Sequence, residues 1–119
     1  MDKEQVCDAV KKLDSKIRFV GLINNKGKLI AGGMIDGKAP LEDEKKDEML
    51  YLELALRVRM RQEFDAELGP VRFAMSYRDK VLVMSFPLKN EILLVSAEKD
   101  MDFSKFPFNV LKILEQYQN

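Results

Sequence analysis

Apolar residues along the chain follow two periods, and the switches between them mark out the elements. Val6, Val10 and Leu13 lie on one helical stripe, with Lys3, Glu4, Lys11 and Lys12 outside it. This predicts a short helix over 3–13. Over 15–24 the pattern changes. Ile17, Phe19, Val20, Leu22 and Ile23 are β-formers on both faces of an extended chain, which predicts a strand covered on both sides. Asn24-Asn25-Lys26-Gly27 supplies the Asn and Gly that a hairpin turn needs for positive φ. A second strand returns over 28–34, weakened at its far end by Ala31-Gly32-Gly33.

After a loop over 35–40, Pro40 suits the first turn of a helix, and Leu41-Glu42-Asp43-Glu44 places acids near its positive end. The stretch 41–68 carries two conflicting signals. Leu50, Leu52, Leu54, Leu56, Val58 and Met60 alternate as in a strand, yet Leu, Glu, Ala, Arg, Met and Gln are strong helix formers. Composition and length decide for a long helix. On it Met49, Leu52, Leu56, Met60 and Glu63 fall on one side, while Leu50, Tyr51, Leu54 and Val58 spread over the other. A surface helix of a monomer shows one apolar stripe. Two stripes imply that something besides the chain's own sheet covers one of them.

Gly69-Pro70 ends this helix. Strands are then predicted over 71–77, with one more polar face, over 81–86 and over 92–95, separated by turns at 78–80 and 87–90. A last helix runs over 104–117, capped by Ser104, with Phe108, Leu111, Ile113 and Leu114 inward. The order is α-β-β-α-β-β-β-α. It predicts one α/β (α+β) domain over 1–119, a five-stranded, mainly antiparallel sheet with helices on both faces.

Composition narrows the function classes. Lys plus Arg and Asp plus Glu are 20 each, so no net charge draws the chain to nucleic acid or an anionic membrane. No run is long enough to span a bilayer, and the start lacks a basic then apolar signal, so cytoplasmic location is the default expectation. With no histidine and one cysteine, Cys7, His-dependent triads, histidine metal sites and structural zinc are excluded. Cys7 is read as a small buried residue with no base to activate it. The glycines do not fit a phosphate-loop pattern. Glu42, Asp43, Glu44, Asp47 and Glu48, interleaved with Lys45 and Lys46, are read as a solvated helix end held by local ion pairs. Arg57, Arg59 and Arg61, with Arg72 and Arg78, are read as ion-pairing residues at an interface, with Glu53 and Glu63 as helix neighbours. Most of the methionines are assigned to the core. No catalytic, cofactor-binding or metal-ligating set emerges, and the chain is expected not to be an enzyme.

The element order resembles the roadblock/LC7 fold, a relative of the profilin-like and longin folds. The residues that carry the resemblance are 20–33, from Val20-Gly21-Leu22 through Asn24-Asn25-Lys26-Gly27 to Gly32-Gly33, similar to that family's first hairpin. Residues 80–97 are similar to its last hairpin. The acidic start of the long helix has no place in the family pattern. The resemblance implies a dimeric scaffold that binds or regulates small GTPases, motors or membrane-associated complexes, with the long helix and the following strand at the dimer interface.

Two functions follow. The first is a non-enzymatic homodimeric interaction module, a GTPase regulator or scaffold. Its interface would be formed by Leu50, Leu54, Arg57, Val58, Arg61 and Arg72, with Leu54 and Val58 at its centre. The alternative is a small-ligand sensor of PAS-like or GAF-like kind, with a pocket near Phe73, Tyr77 and Phe86.

Overall fold

The computed structural model describes residues 1–118. Helix α1 (Lys3–Lys11) precedes strands β1 (Ile17–Asn24) and β2 (Leu29–Met34). Helix α2 (Glu44–Arg61) runs into a 3-10 turn (Gln62–Phe64) and a short helix α3 (Asp65–Leu68). Strands β3 (Ala74–Tyr77), β4 (Leu82–Pro87) and β5 (Glu91–Ala97) lead to helix α4 (Phe106–Gln118). The five strands form one sheet in the order β2-β1-β5-β4-β3, with every neighbouring pair antiparallel.

The strands that are apolar on both faces explain the layers. Successive residues of a strand point to opposite faces. In β5, Leu93 and Val95 join the core under α1 and α4, while Ile92 and Leu94 face α2. The first core includes Val6, Cys7 and Val10 from α1 and Phe106, Val110 and Leu114 from α4. The second is smaller: Tyr51, Leu54, Ala55 and Val58 of α2 pack on Ile23, Ile92 and Leu94. Burying a side chain such as Leu54 contributes about 1.5–3 kcal/mol relative to leaving it exposed.

Caps and a close approach fix the elements. Asp2 accepts from the Gln5 N–H at 2.8 Å while the Gln5 side chain accepts from the Asp2 N–H, a reciprocal cap for α1. Asp43 caps α2 by accepting from the Lys46 N–H at 2.9 Å. Helix α1 lies close to β2 at Gly32, where a Cβ would fall 2.2 Å from the Val20 carbonyl oxygen and 3.1 Å from the Cys7 sulfur. Far ends of the chain meet at Glu91, which accepts from the Tyr117 hydroxyl at 2.7 Å and from the Lys3 ammonium.

Several expected boundaries shift for local reasons. α1 stops at Lys11, leaving Leu13 on the surface. α2 begins at Glu44 because Asp43 caps it, so Leu41 and Glu42 lie in a bend ahead of it. β3 begins at Ala74, since pairing with β4 starts only there. Ser104 is not the cap of α4: its N–H and hydroxyl both donate to Asp102. Phe108, expected inward, is mostly exposed and meets Phe73 edge-on at 5.6 Å, while Phe106 and Val110 take the inward positions.

Candidate functional site

The α2 face of the sheet gathers most of the predicted interface residues, but not with the expected orientation. Leu54 and Val58 are 8% and 9% exposed and pack on the chain's own sheet. The outward stripe is instead Met49, Leu52, Leu56 and Met60, which are 68%, 51%, 49% and 69% exposed. The period-two pattern made the two stripes look equivalent. Alanine at 55 and branched Val58 suit close packing on strands, whereas long unbranched methionines tolerate the surface. Most methionines were assigned to the core, yet only Met84 and Met101 are buried.

A groove runs between α2 and the edge strand β3. Leu50, Glu53, Leu54, Arg57 and Arg61 form the helix side, and Ala74, Met75, Ser76 and Arg78 the strand side. Four of the six predicted residues therefore meet in one place, with Leu54 as its floor. Val58 and Arg72 lie outside it, lining with Arg61 a separate hollow at the end of the helix. Arg57 pairs with Glu53 one turn away at 3.4 Å, as expected of its helix neighbour. Arg59 leaves the group and reaches the Asn25 carbonyl at 3.4 Å. One guanidinium nitrogen of Arg61, Nη1, is buried without a hydrogen-bond partner among the described residues. Such an orphan donor is costly unless something else satisfies it.

At the start of α2 lies a pocket of about 240 Å³ between helix and sheet. Phe19, Met34, Leu50, Val83 and Leu94 make it mainly apolar, and Arg18, Glu42, Asp47, Tyr51 and Arg78 bring polar groups to it. Tyr51 is nearly buried and stacks on Phe19, ring centroids 6.2 Å apart. Burial, then the nearby Asp47 and Glu42 charges, push its hydroxyl up to about 12. Burial also raises Asp47 to about 6, helped by a side-chain hydrogen bond with Glu42 and by the charges of Glu42 and Asp43. The ion pairs expected along 42–48 are missing among the described residues. Arg18 is committed elsewhere, to Glu98 at 3.3 Å and to the Ala39 carbonyl at 2.6 Å.

The residues expected around a sensor pocket, Phe73, Tyr77 and Phe86, are engaged in aromatic packing. Phe73 packs on Phe86 and Phe108, and Tyr77 packs on Phe103. The pocket at the start of α2 is on the other sheet face. Only Tyr51 standing one turn after Asp47 hinted at it, and that spacing is common to any helix. Cys7 is fully buried, and burial pushes its thiol up to about 11. No cluster of three or more metal-ligating side chains occurs among the described residues. Among them also, no helix is long and apolar enough to cross a membrane.

The architecture matches known structures along nearly its whole length. A roadblock/LC7 domain from Streptomyces avermitilis superposes with a TM-score of 0.71 at 12% identity, covering 98% of both chains. MglB of Myxococcus xanthus gives 0.73 at 15% identity, covering 97% of this chain and 90% of that one. A profilin from Schizosaccharomyces pombe gives 0.61 at 14% identity, covering 98% and 94%. The fold is roadblock/LC7-like, with profilin a more distant match. No curated protein matches the sequence. A family model described as a family of unknown function, DUF6659, matches residues 2–118, and the chain belongs to that family.

Proposed function

We propose that the chain, as one domain over 1–119, is a non-enzymatic, homodimeric interaction module that regulates or scaffolds a small GTPase in the cytoplasm. The observation that carries this reading is the open edge of β3 beside the α2 groove. β3 pairs only with β4, so its other side has no strand partner among the described residues. An unpaired edge is a template for another strand. A second copy arriving by a two-fold axis would extend the sheet and bring two α2 helices together over the grooves. Leu50, Leu54, Arg57 and Arg61 would line that interface, and Glu53 of one copy would be available to the unsatisfied guanidinium of Arg61 on the other. Val58 and Arg72, outside the groove, leave the proposed set, and Met75 enters it.

The partner surface in this reading is the outer stripe of α2, Met49, Leu52, Leu56 and Met60, continued by exposed Phe64 and Leu68. Flexible methionines suit adaptable protein binding. Light scattering after size exclusion tests the dimer: the chain should run as a dimer at micromolar concentration, and Met75→Lys should shift it to monomer. A wild-type monomer, or a variant that remains dimeric, sinks the interface. Co-elution with small GTPases from the same genome, in GDP and GTP-analogue states, tests the partner. The pocket beside Tyr51 favours a second reading, a scaffold that also senses a small ligand.

A further inference from the structure

We propose that the groove between α2 and β3 binds a phosphate group, held by Arg61 and Arg78 from its walls and by Ser85 from its floor. This goes beyond the dimer reading and does not rest on it.

The strands make the space. In β4, Leu82, Met84 and Phe86 belong to the core under α1 and α4, so Val83 and Ser85 face α2. Ser85 pairs with Ala74 and Val83 with Ser76, which turns those two β3 residues to the same face. Beneath α2, β5 is filled by Ile92 and Leu94. Towards the β3 edge the side chains shrink to serine and alanine, and a cavity of about 110 Å³ opens. Two exceptions converge on it. Arg61 Nη1 is the one buried side-chain nitrogen or oxygen without a hydrogen-bond partner among the described residues. Tyrosine and cysteine aside, Ser85 is the one polar side chain buried among them, 3% exposed. Both residues line this groove. Arg61 stands where the groove meets the hollow at the helix end, and its long, half-buried side chain can turn Nη1 into the groove. A buried charged donor left unsatisfied is costly, so the site is incomplete without an acceptor.

The charges fix the sign of the ligand. Glu53, Arg57, Arg61 and Arg78 line the groove. Glu53 and Arg57 pair with each other at 3.4 Å. Arg61 and Arg78 form no ion pair among the described residues, which leaves two positive charges beside one space. Arg78 also borders the pocket of Glu42 and Asp47, yet it pairs with neither. A phosphate group carries roughly −1.5 to −2 charge near neutral pH and has three strong acceptor oxygens. A carboxylate has one charge and two oxygens in a plane, and would satisfy one guanidinium only. Two guanidiniums and a hydroxyl, offered from walls and floor, suit the tetrahedral group. Clefts for whole organic ligands span roughly 300–1,000 Å³, so the phosphate alone enters, either free or as the end of a larger molecule. A second copy would bring its Glu53 to the same guanidinium, so copy and anion compete for Arg61.

Amide chemical-shift titration of the full chain by NMR, at fixed ionic strength, tests this. The probes are inorganic phosphate, phenyl phosphate and acetate. Phosphate should give saturable shifts at Arg61, Arg78 and Ser85 with a Kd of about 5 mM or below. Acetate should bind about ten-fold or more weakly. Arg78→Gln and Ser85→Ala, verified as folded by thermal melts, should each weaken phosphate about five-fold or more. Glu53→Gln should tighten it a few-fold, because it removes the lining carboxylate and the competing one on a second copy. Phenyl phosphate binding about ten-fold tighter than inorganic phosphate would assign the site to a monoester, and comparable or weaker binding to the free ion. Acetate binding as well as phosphate, phosphate binding unchanged in Arg78→Gln, or no saturable shift at about 20 mM phosphate in both the native chain and Glu53→Gln each overturn the proposal. A monomeric chain that binds phosphate removes the dimer and keeps this site. A dimer whose Glu53→Gln variant ignores phosphate does the reverse.

Discussion

Gly27 lies against the backbone of Leu52: a Cβ at Gly27 would sit 2.8 Å from the Leu52 Cα. The hairpin between β1 and β2 thus buttresses α2 through a residue with no side chain, held at φ +79°. Gly27→Ala combines a left-handed backbone with a clash against a helix that cannot give. The expected loss is about 2–4 kcal/mol from the two effects together. Urea unfolding should show a lower midpoint at unchanged slope, and a shift under about 0.5 kcal/mol would mean that the turn and helix are not in contact.

The two apolar stripes of α2 should answer substitution differently. Leu54→Ala removes buried side chain over Ile23, Ile92 and Leu94 and should cost about 2–5 kcal/mol. Leu56→Lys, on the exposed stripe, should change monomer stability by about 0.5 kcal/mol or less. Thermal melts of both variants read this directly. The opposite ranking would place the other stripe on the sheet.

Asp47 should make the fold more stable as pH falls from its folded-state value towards the ordinary one. That value, about 6, lies above the ordinary 3.8, so between the two the folded chain holds more protons than the unfolded one. Stability contributed by this group therefore rises as pH drops through that window, and the ionised carboxylate opposes folding above it. Its neighbours in the pocket are Glu42, Tyr51, Arg18 and Arg78, with the charge of Asp43 nearby. Asp47→Asn should stabilise the chain near pH 7.5 by less than about 1 kcal/mol, because solvent screens a half-exposed carboxyl. Near pH 4 the gain should vanish. Denaturation midpoints at the two pH values decide it, and equal gains at both would rule out protonation as the cause.

Cys7 should be inert in the native chain. It is fully buried, and burial raises its thiol to about 11. Alkylation by iodoacetamide should proceed only through opening of the fold, about a thousand-fold or more slowly than for a free thiol. Rapid labelling in native buffer would mean that α1 detaches readily from the sheet.

The sheet was legible in the sequence because three of its strands are apolar on both faces, which only a doubly covered strand requires. The turn at 24–27 and the Gly69-Pro70 stop were equally local signals. What failed depended on contacts distant in sequence. Nothing near Leu54 says that it faces Ile92 and Leu56 does not, since both lie in the same run of alternating leucines. The late start of β3 depends on pairing with β4. The pocket is built from β1, the bend before α2, and β4, so no motif encodes it. Glu53 was found as the neighbour of Arg57 from helical spacing, but the buried, unsatisfied nitrogen of Arg61 needed the helix to be seated on its sheet.

The central pairing of the sheet joins Val20 to Val95 across most of the chain. The hairpins β1–β2 and β4–β5 are local and can form early, but the seam between β1 and β5 must close a loop that contains α2 and β3. Long loops close late and slow the search. The refolding rate should therefore be set by residues of that seam, and α2, which seats across it at Ile23, Ile92 and Leu94, can complete its packing only after the barrier. Stabilising α2 would then lengthen the lifetime of the native state without making the chain fold faster.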